Sequence, residues 1–161
     1  MGHRVIKGLQ WARPRESGPF GRSRARGAKA QGLRYERALA KALPSAKHGQ
    51  WFEFCDLFGS GWCQPDLIYD LGHALLVLEA KYTWVPEGQT QIDHLYRPVV
   101  EKALGKPVHG VVVCKTLIPG MSCRVFASLR EAALAAMSGD SVVLHWQGTP
   151  KLLENSHAQA A

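Results

Sequence analysis

The 161 residues predict an α/β domain in which a mixed sheet lies between helices. Three stretches carry that prediction. Residues 74–78 (Ala-Leu-Leu-Val-Leu) are almost unbroken in apolar character, as in a strand covered on both faces. Residues 108–115 form a second buried, β-branched run. Residues 31–43 repeat Leu33, Tyr35, Leu39, Ala40 and Leu43 at helical spacing, and Pro44 ends that helix.

The remaining elements follow in chain order. The aromatic-rich residues 51–57 read as a strand. Residues 65–70 and 74–82 read as two strands joined by a turn at Asp70-Leu71-Gly72-His73. A helix over 89–104 starts after Pro86-Glu87-Gly88 and ends before Gly105-Lys106-Pro107. The strand at 108–115 follows. An Ala- and Leu-rich helix over 128–138 is closed by Gly139, and residues 141–146 make a last strand. The expected order is αβββαβ, then one further helix and strand.

Charged residues cluster where the apolar run stops. Pro65-Asp66 opens one strand of the 65–82 hairpin, and Glu79-Ala80-Lys81 ends the other. Side chains alternate along a strand, so Glu79 and Lys81 share a face. Antiparallel pairing would bring Asp66 near Glu79. Two carboxylates and an ammonium at one hairpin end suit a divalent cation with hard oxygen ligands. Burying such charges is costly unless they are paired or metal-bound. The plainer reading is a Glu–Lys pair on a half-exposed strand, with Asp66 shaping a turn.

Pro65-Asp66, a gap of twelve residues and Glu79-Ala80-Lys81 resemble the motif of the PD-(D/E)xK nuclease superfamily. The resemblance covers residues 31–116, the span of that family's restriction-endonuclease-like core. It implies a Mg²⁺- or Mn²⁺-dependent endodeoxyribonuclease leaving 5′-phosphate ends. Asp66, Glu79 and the Ala80 carbonyl would hold the metal, and Lys81 would orient or deprotonate the attacking water. The family also nominates Glu36, on the first helix, for the metal site or for positioning a water. Glu36 could equally be a solvated partner of Lys41 or Arg37. The superfamily's exonucleases place a Gln on the next helix with a Tyr four residues later. Here Leu95 follows Gln91 at that spacing and Tyr96 lies one place beyond. Gln91 is therefore either a reach toward the site or a phosphate, or part of a polar helix surface.

The net charge of +7 is unevenly placed. Residues 1–30 hold eight Lys or Arg against Glu16, while residues 31–161 hold twelve charges of each sign. Residues 1–30 read as a flexible basic arm, with residues 31–148 as the catalytic domain and 149–161 as a frayed tail, and removing residues 1–26 is expected to leave the core folded. Arg13, Arg15, Arg22, Arg24, Arg26 and Lys29 can track phosphates of DNA. A solubilising tail, or one ordered on a partner subunit, is the alternative.

The arm lacks the apolar stretch of a signal peptide, and no run is long enough to span a membrane. Cys55, Cys63, Cys114 and Cys123 form no Cys-x-x-Cys pair, which fits reduced thiols in a cytoplasmic setting. The short chain with its basic arm is similar in style to phage or prophage branched-DNA (Holliday junction) resolvases. That likeness implies a homodimer making symmetric cuts. A non-catalytic nucleic-acid-binding module on the same fold is the alternative function.

Overall fold

The computed structural model describes residues 4–19, 26–149 and 153. The chain runs through β1 (Trp11–Arg15), α1 (Gly27–Ala42), β2 (Lys47–His48), β3 (Trp51–Asp56), β4 (Gly59–Cys63), β5 (Leu67–Asp70) and β6 (Leu75–Thr83). One long helical stretch follows, made of α2 (Pro86–Gln91), a π-helical turn (Ile92–Tyr96) and α3 (Arg97–Leu104). Then come β7 (Val108–Thr116), β8 (Arg124–Phe126), α4 (Leu129–Met137) and β9 (Val142–His145).

The main sheet has the order β2-β5-β6-β7-β9-β8. It is mixed: β2, β5 and β6 pair antiparallel, whereas β6–β7, β7–β9 and β8–β9 are parallel. The expected α/β architecture is present, with helices on both faces of the sheet. Leu76, Leu78, Val111, Val113 and Leu144 face α1 and α4 across one core. Leu75, Val77, Val108, Val112 and Val143 face the α2–α3 stretch across another. Period-two alternation sorts these residues between the two cores. Between Leu75 and Leu78, no residue of β6 is more than 4% exposed.

Local signals explain the helix ends. α1 buries Tyr35, Leu39 and Ala42, one apolar stripe at helical spacing. Pro44 excludes helical geometry at Leu43, which takes φ −129°. Pro86 occupies the first turn of α2, where its missing N–H costs nothing. Gly105 ends α3 in the left-handed conformation, with φ 68°. Ser128 caps α4 by accepting the Glu131 N–H.

Two expectations are corrected. The strand at 51–57 does not join the main sheet. As β3 it is the centre of a separate antiparallel sheet of order β1-β3-β4. β4 (Gly-Ser-Gly-Trp-Cys) lacks a strand's usual composition, so its hairpin with β3 was not visible in the sequence. Gly61 is needed there, because a Cβ would stand 2.5 Å from the Phe54 ring.

The basic arm is the second correction. Residues 11–15 form β1 along β3, and α3 packs against β1. The Ile6 N–H donates to the His94 carbonyl at 3.0 Å. Arg4 pairs with Asp56, which is 2% exposed and also accepts the Phe58 N–H. The guanidinium holds the Asp56 carboxyl below its ordinary range. α1 begins at Gly27, inside the expected arm. Residues 20–25, and all of the expected tail 149–161 except Thr149 and Leu153, lie outside the described residues. The Leu153 N–H donates to the Ala42 carbonyl at 2.9 Å.

Removing residues 1–19 takes away β1 and the partner of a buried carboxylate. Urea unfolding of that truncated chain should show a lower midpoint than the full chain. A second test concerns the close approach of the π-turn to β7. A Cβ on Gly110 would stand 2.1 Å from the Ile92 side chain. Gly110→Ala should cost about 2 kcal/mol. In a double-mutant cycle, Ile92→Ala should recover part of that loss, because it removes the clashing methyl.

Candidate active site

The carboxylates of the motif meet where β6 leaves the cover of the core. Leu67 pairs with Leu78, so Asp66 stands opposite Glu79 in the antiparallel register. Asp66 lies in the bend just before β5. The Gly49 N–H donates to the Asp66 backbone carbonyl at 2.9 Å, fixing that bend. The Ala80 N–H donates to Asp66 Oδ2 at 2.8 Å. Glu79 is 3% exposed, and its Oε1 accepts Lys81 Nζ at 2.7 Å. Its Oε2 is buried without a hydrogen-bond partner.

This crowding changes the acidity of both groups. Burial pushes the Asp66 carboxyl well above its ordinary value, and the nearby charges of Glu79 and Glu36 push it further. The Ala80 N–H and Lys81 pull it back only in part. Burial also raises Glu79, against the attraction of Lys81. Asp66 and Glu79 thus share one ammonium, Lys81, while Glu36 adds to the negative field around them.

Glu36 projects from α1, with its side chain 20% exposed. Its described partner is His48, at 2.8 Å from Nε2 to Oε1, rather than Lys41 or Arg37. Its field still raises both Asp66 and Glu79. Among the described residues, no three His, Cys, Asp or Glu side chains are gathered closely enough to hold a metal ion. Asp66 and Glu79 form the close pair, and Glu36 is turned to His48.

Tyr96 is the member that sequence spacing missed. It is 4% exposed, and Gln91 Nε2 donates to its hydroxyl. In an α-helix, residues five apart do not share a face. The π-turn from Ile92 to Tyr96 adds one residue to the turn and brings Gln91 and Tyr96 together. The departure from four-residue spacing is thereby absorbed. Burial first, then the charges of Glu79 and Asp66, push the Tyr96 phenol upward and keep it protonated. The fields of those carboxylates reach its hydroxyl, which makes it a candidate member of the site. The Tyr at i+5 from Gln91 was the available signal, and α-helical counting discounts it.

The basic candidates separate. Arg13 and Arg15 lie on β1, both paired with Glu53. Arg26 and Lys29 are exposed at the start of α1. Arg22 and Arg24 lie outside the described residues. All four cysteines are free thiols, and burial pushes Cys63 up to about 12, away from a ligating thiolate. Among the described residues, no helix is long and apolar enough to cross a membrane. Compared with family models, curated proteins and solved structures, the chain matches none.

The raised pKa values set a pH dependence. A carboxyl with a raised folded-state pKa adds stability below its unfolded value, and that stability is lost as pH rises through the folded value. Without metal, the protein should therefore lose stability as pH climbs from the ordinary carboxylate range toward neutrality. Asp66→Asn removes that loss while keeping an acceptor for the Ala80 N–H. Metal-free Asp66→Asn should melt above the parent at neutral pH, and the gap should close near pH 4.

Proposed function

We propose that this chain is a metal-dependent nuclease that hydrolyses phosphodiester bonds of DNA and leaves 5′-phosphate ends. One observation carries the reading: the desolvated Asp66–Glu79 pair beside Lys81, at the end of a doubly covered strand, with both carboxyls pushed upward by burial and by Glu36. A structural ion pair would balance its charges. This set leaves an excess of carboxylate and an orphaned Glu79 Oε2.

Those features fit Mg²⁺ or Mn²⁺. The donors are hard oxygens, and the unpaired Oε2 lacks the partner that a buried polar atom requires. Asp66, Glu79 and the Ala80 carbonyl would hold the ion, with Glu36 as a further ligand if it leaves His48. Such an ion supplies neutralisation of phosphate charge and lowers the pKa of water.

The protein's own groups do the rest. Glu79 Oε1 holds Lys81 Nζ in place. From there the ammonium can orient the attacking water and steady charge on the phosphate. Tyr96 keeps its proton and can donate it to a phosphate oxygen, while Gln91 fixes the orientation of the phenol. The restriction-endonuclease-like core, a two-fold dimer and a branched-DNA substrate of the phage resolvase kind belong to the same proposal. The two-fold dimer would supply paired cuts at a junction.

Incubating the chain with labelled four-way junction, flap, duplex and single-stranded DNA tests this reading. Cutting should require Mg²⁺ or Mn²⁺ and stop in EDTA. Lys81→Ala should lower the rate by about 100-fold or more. Equal cutting by Lys81→Ala and the parent would remove the site assignment. Tight binding without any cutting would favour a non-catalytic nucleic-acid-binding module.

A further inference from the structure

One face of the three-stranded sheet is built from arginine and tryptophan. Along β1, Trp11, Arg13 and Arg15 point to the same side. Their partners on β3 are Cys55, Glu53 and Trp51, and Glu53 in turn pairs with Trp62 on β4. Directly paired residues share a face. The opposite face carries Phe52, Phe54 and Cys63 into the core. The outer face therefore collects three tryptophans and two arginines in a row.

Its groups are arranged rather than scattered. The Arg13 guanidinium lies 5.1 Å from the Trp11 ring centre, and that of Arg15 lies 5.9 Å from Trp62. Trp51 and Trp62 meet edge-to-face at 6.3 Å. The Arg13 and Arg15 side chains are 55% and 45% exposed, and Trp11 is 37% exposed. Gly18 packs on the Trp51 indole, where a Cβ would stand 2.0 Å from the ring. Of the other two rings, Trp11 is exposed and Trp62 half-buried. Glu53 Oε2 holds both arginines, at 2.9 Å and 3.4 Å. A carboxylate gripping two guanidinium groups occupies the place that a phosphate oxygen would take.

We infer that this face binds an unpaired strand of nucleic acid, its bases stacking on Trp11 and Trp62 and its phosphates taken by Arg13 and Arg15. Charge complementarity favours a polyanion, because the excess of eight basic residues over one acid lies in residues 1–30. Ring stacking favours unpaired bases, since a duplex keeps its base faces covered. The face also leads toward the candidate site. Asp66 lies four positions after Trp62, a reach of at most about 14 Å. This assignment deepens the nuclease reading by naming a single-stranded segment as the form of substrate. It rests on that reading only for the step from this face to Asp66.

The test is fluorescence anisotropy with the full chain in EDTA, so that binding is separate from cutting. The probes are labelled oligodeoxythymidine of about 20 nucleotides, its oligouridine counterpart and a DNA duplex of equal length. The unpaired probes should bind more tightly than the duplex, and the two oligomers distinguish DNA from RNA as the source of the strand. Trp62→Ala should weaken single-strand binding about ten-fold or more while barely changing duplex affinity. Glu53→Gln frees Arg13 and Arg15, so it should tighten single-strand binding several-fold and steepen its salt dependence. Tighter binding cannot arise from a misfolded variant.

Equal affinity for duplex and single strand, with Trp62→Ala indifferent, would overturn the inference. So would weaker or unchanged binding by Glu53→Gln. Selective single-strand binding by a protein that never cuts in Mg²⁺ would uphold this face and remove the proposed chemistry. Cutting without single-strand selectivity would do the reverse.

Discussion

The double burial of β6 is the constraint on which the rest of the molecule depends. Leu76 and Leu78 pack toward α1 and α4, and Leu75 and Val77 toward the α2–α3 stretch. A strand covered on both faces can carry charge only where that cover ends. Glu79 and Lys81 stand at that point, and the β5 register sets Asp66 opposite Glu79. The same burial that stabilises the sheet strips water from the two carboxylates. Desolvation is the leading cause of both raised pKa values. Stability of the core and chemical tension at its end have one origin.

The helical stretch after β6 is shaped by the same packing. Ile92 sits where β7 carries Gly110, and no larger residue fits between them. Gly88 packs near the sheet as well, with its would-be Cβ 3.3 Å from Val112 and 3.4 Å from the Lys81 stem. Held this near to the sheet, the helix takes a π-turn from Ile92 to Tyr96. A π-turn weakens local hydrogen bonding, and such turns cluster at functional sites. Here it brings Tyr96 to Gln91, which donates to the phenol, within the field of Glu79 and Asp66.

The small sheet packs against α3. Its inner face closes the second core with Phe52 and Phe54, both at most 1% exposed. Its outer face is free to carry Trp11, Arg13, Arg15 and Trp62. The Arg4–Asp56 pair ties the chain start to the end of β3, which holds the arm residues in an ordered strand. Basic residues that look like a solvated arm in one dimension become a patterned surface in three.

Much of this was legible in the sequence, and the boundary has a physical basis. Periodicity marked α1, β5, β6, β7, α4 and β9, because each buries a face whose spacing is local. The Asp66–Glu79 meeting was also legible, since a hairpin's parity fixes which residues share a face. What escaped depends on contacts between distant segments. β1 reads as Trp-Ala-Arg-Pro-Arg and β4 as Gly-Ser-Gly-Trp-Cys, and neither announces a strand until β3 lies between them. His48 becomes the partner of Glu36 only when β2 is laid along β5. Tyr96 enters the site through one extra residue in a helical turn, decided by Ile92 against Gly110. By itself, the sequence determined the α/β class, the main strands and the charged hairpin end, because local periodicity encodes burial. Tertiary packing decided the second sheet, the place of residues 11–15 in it and the surroundings of the candidate site, because those depend on which surfaces meet.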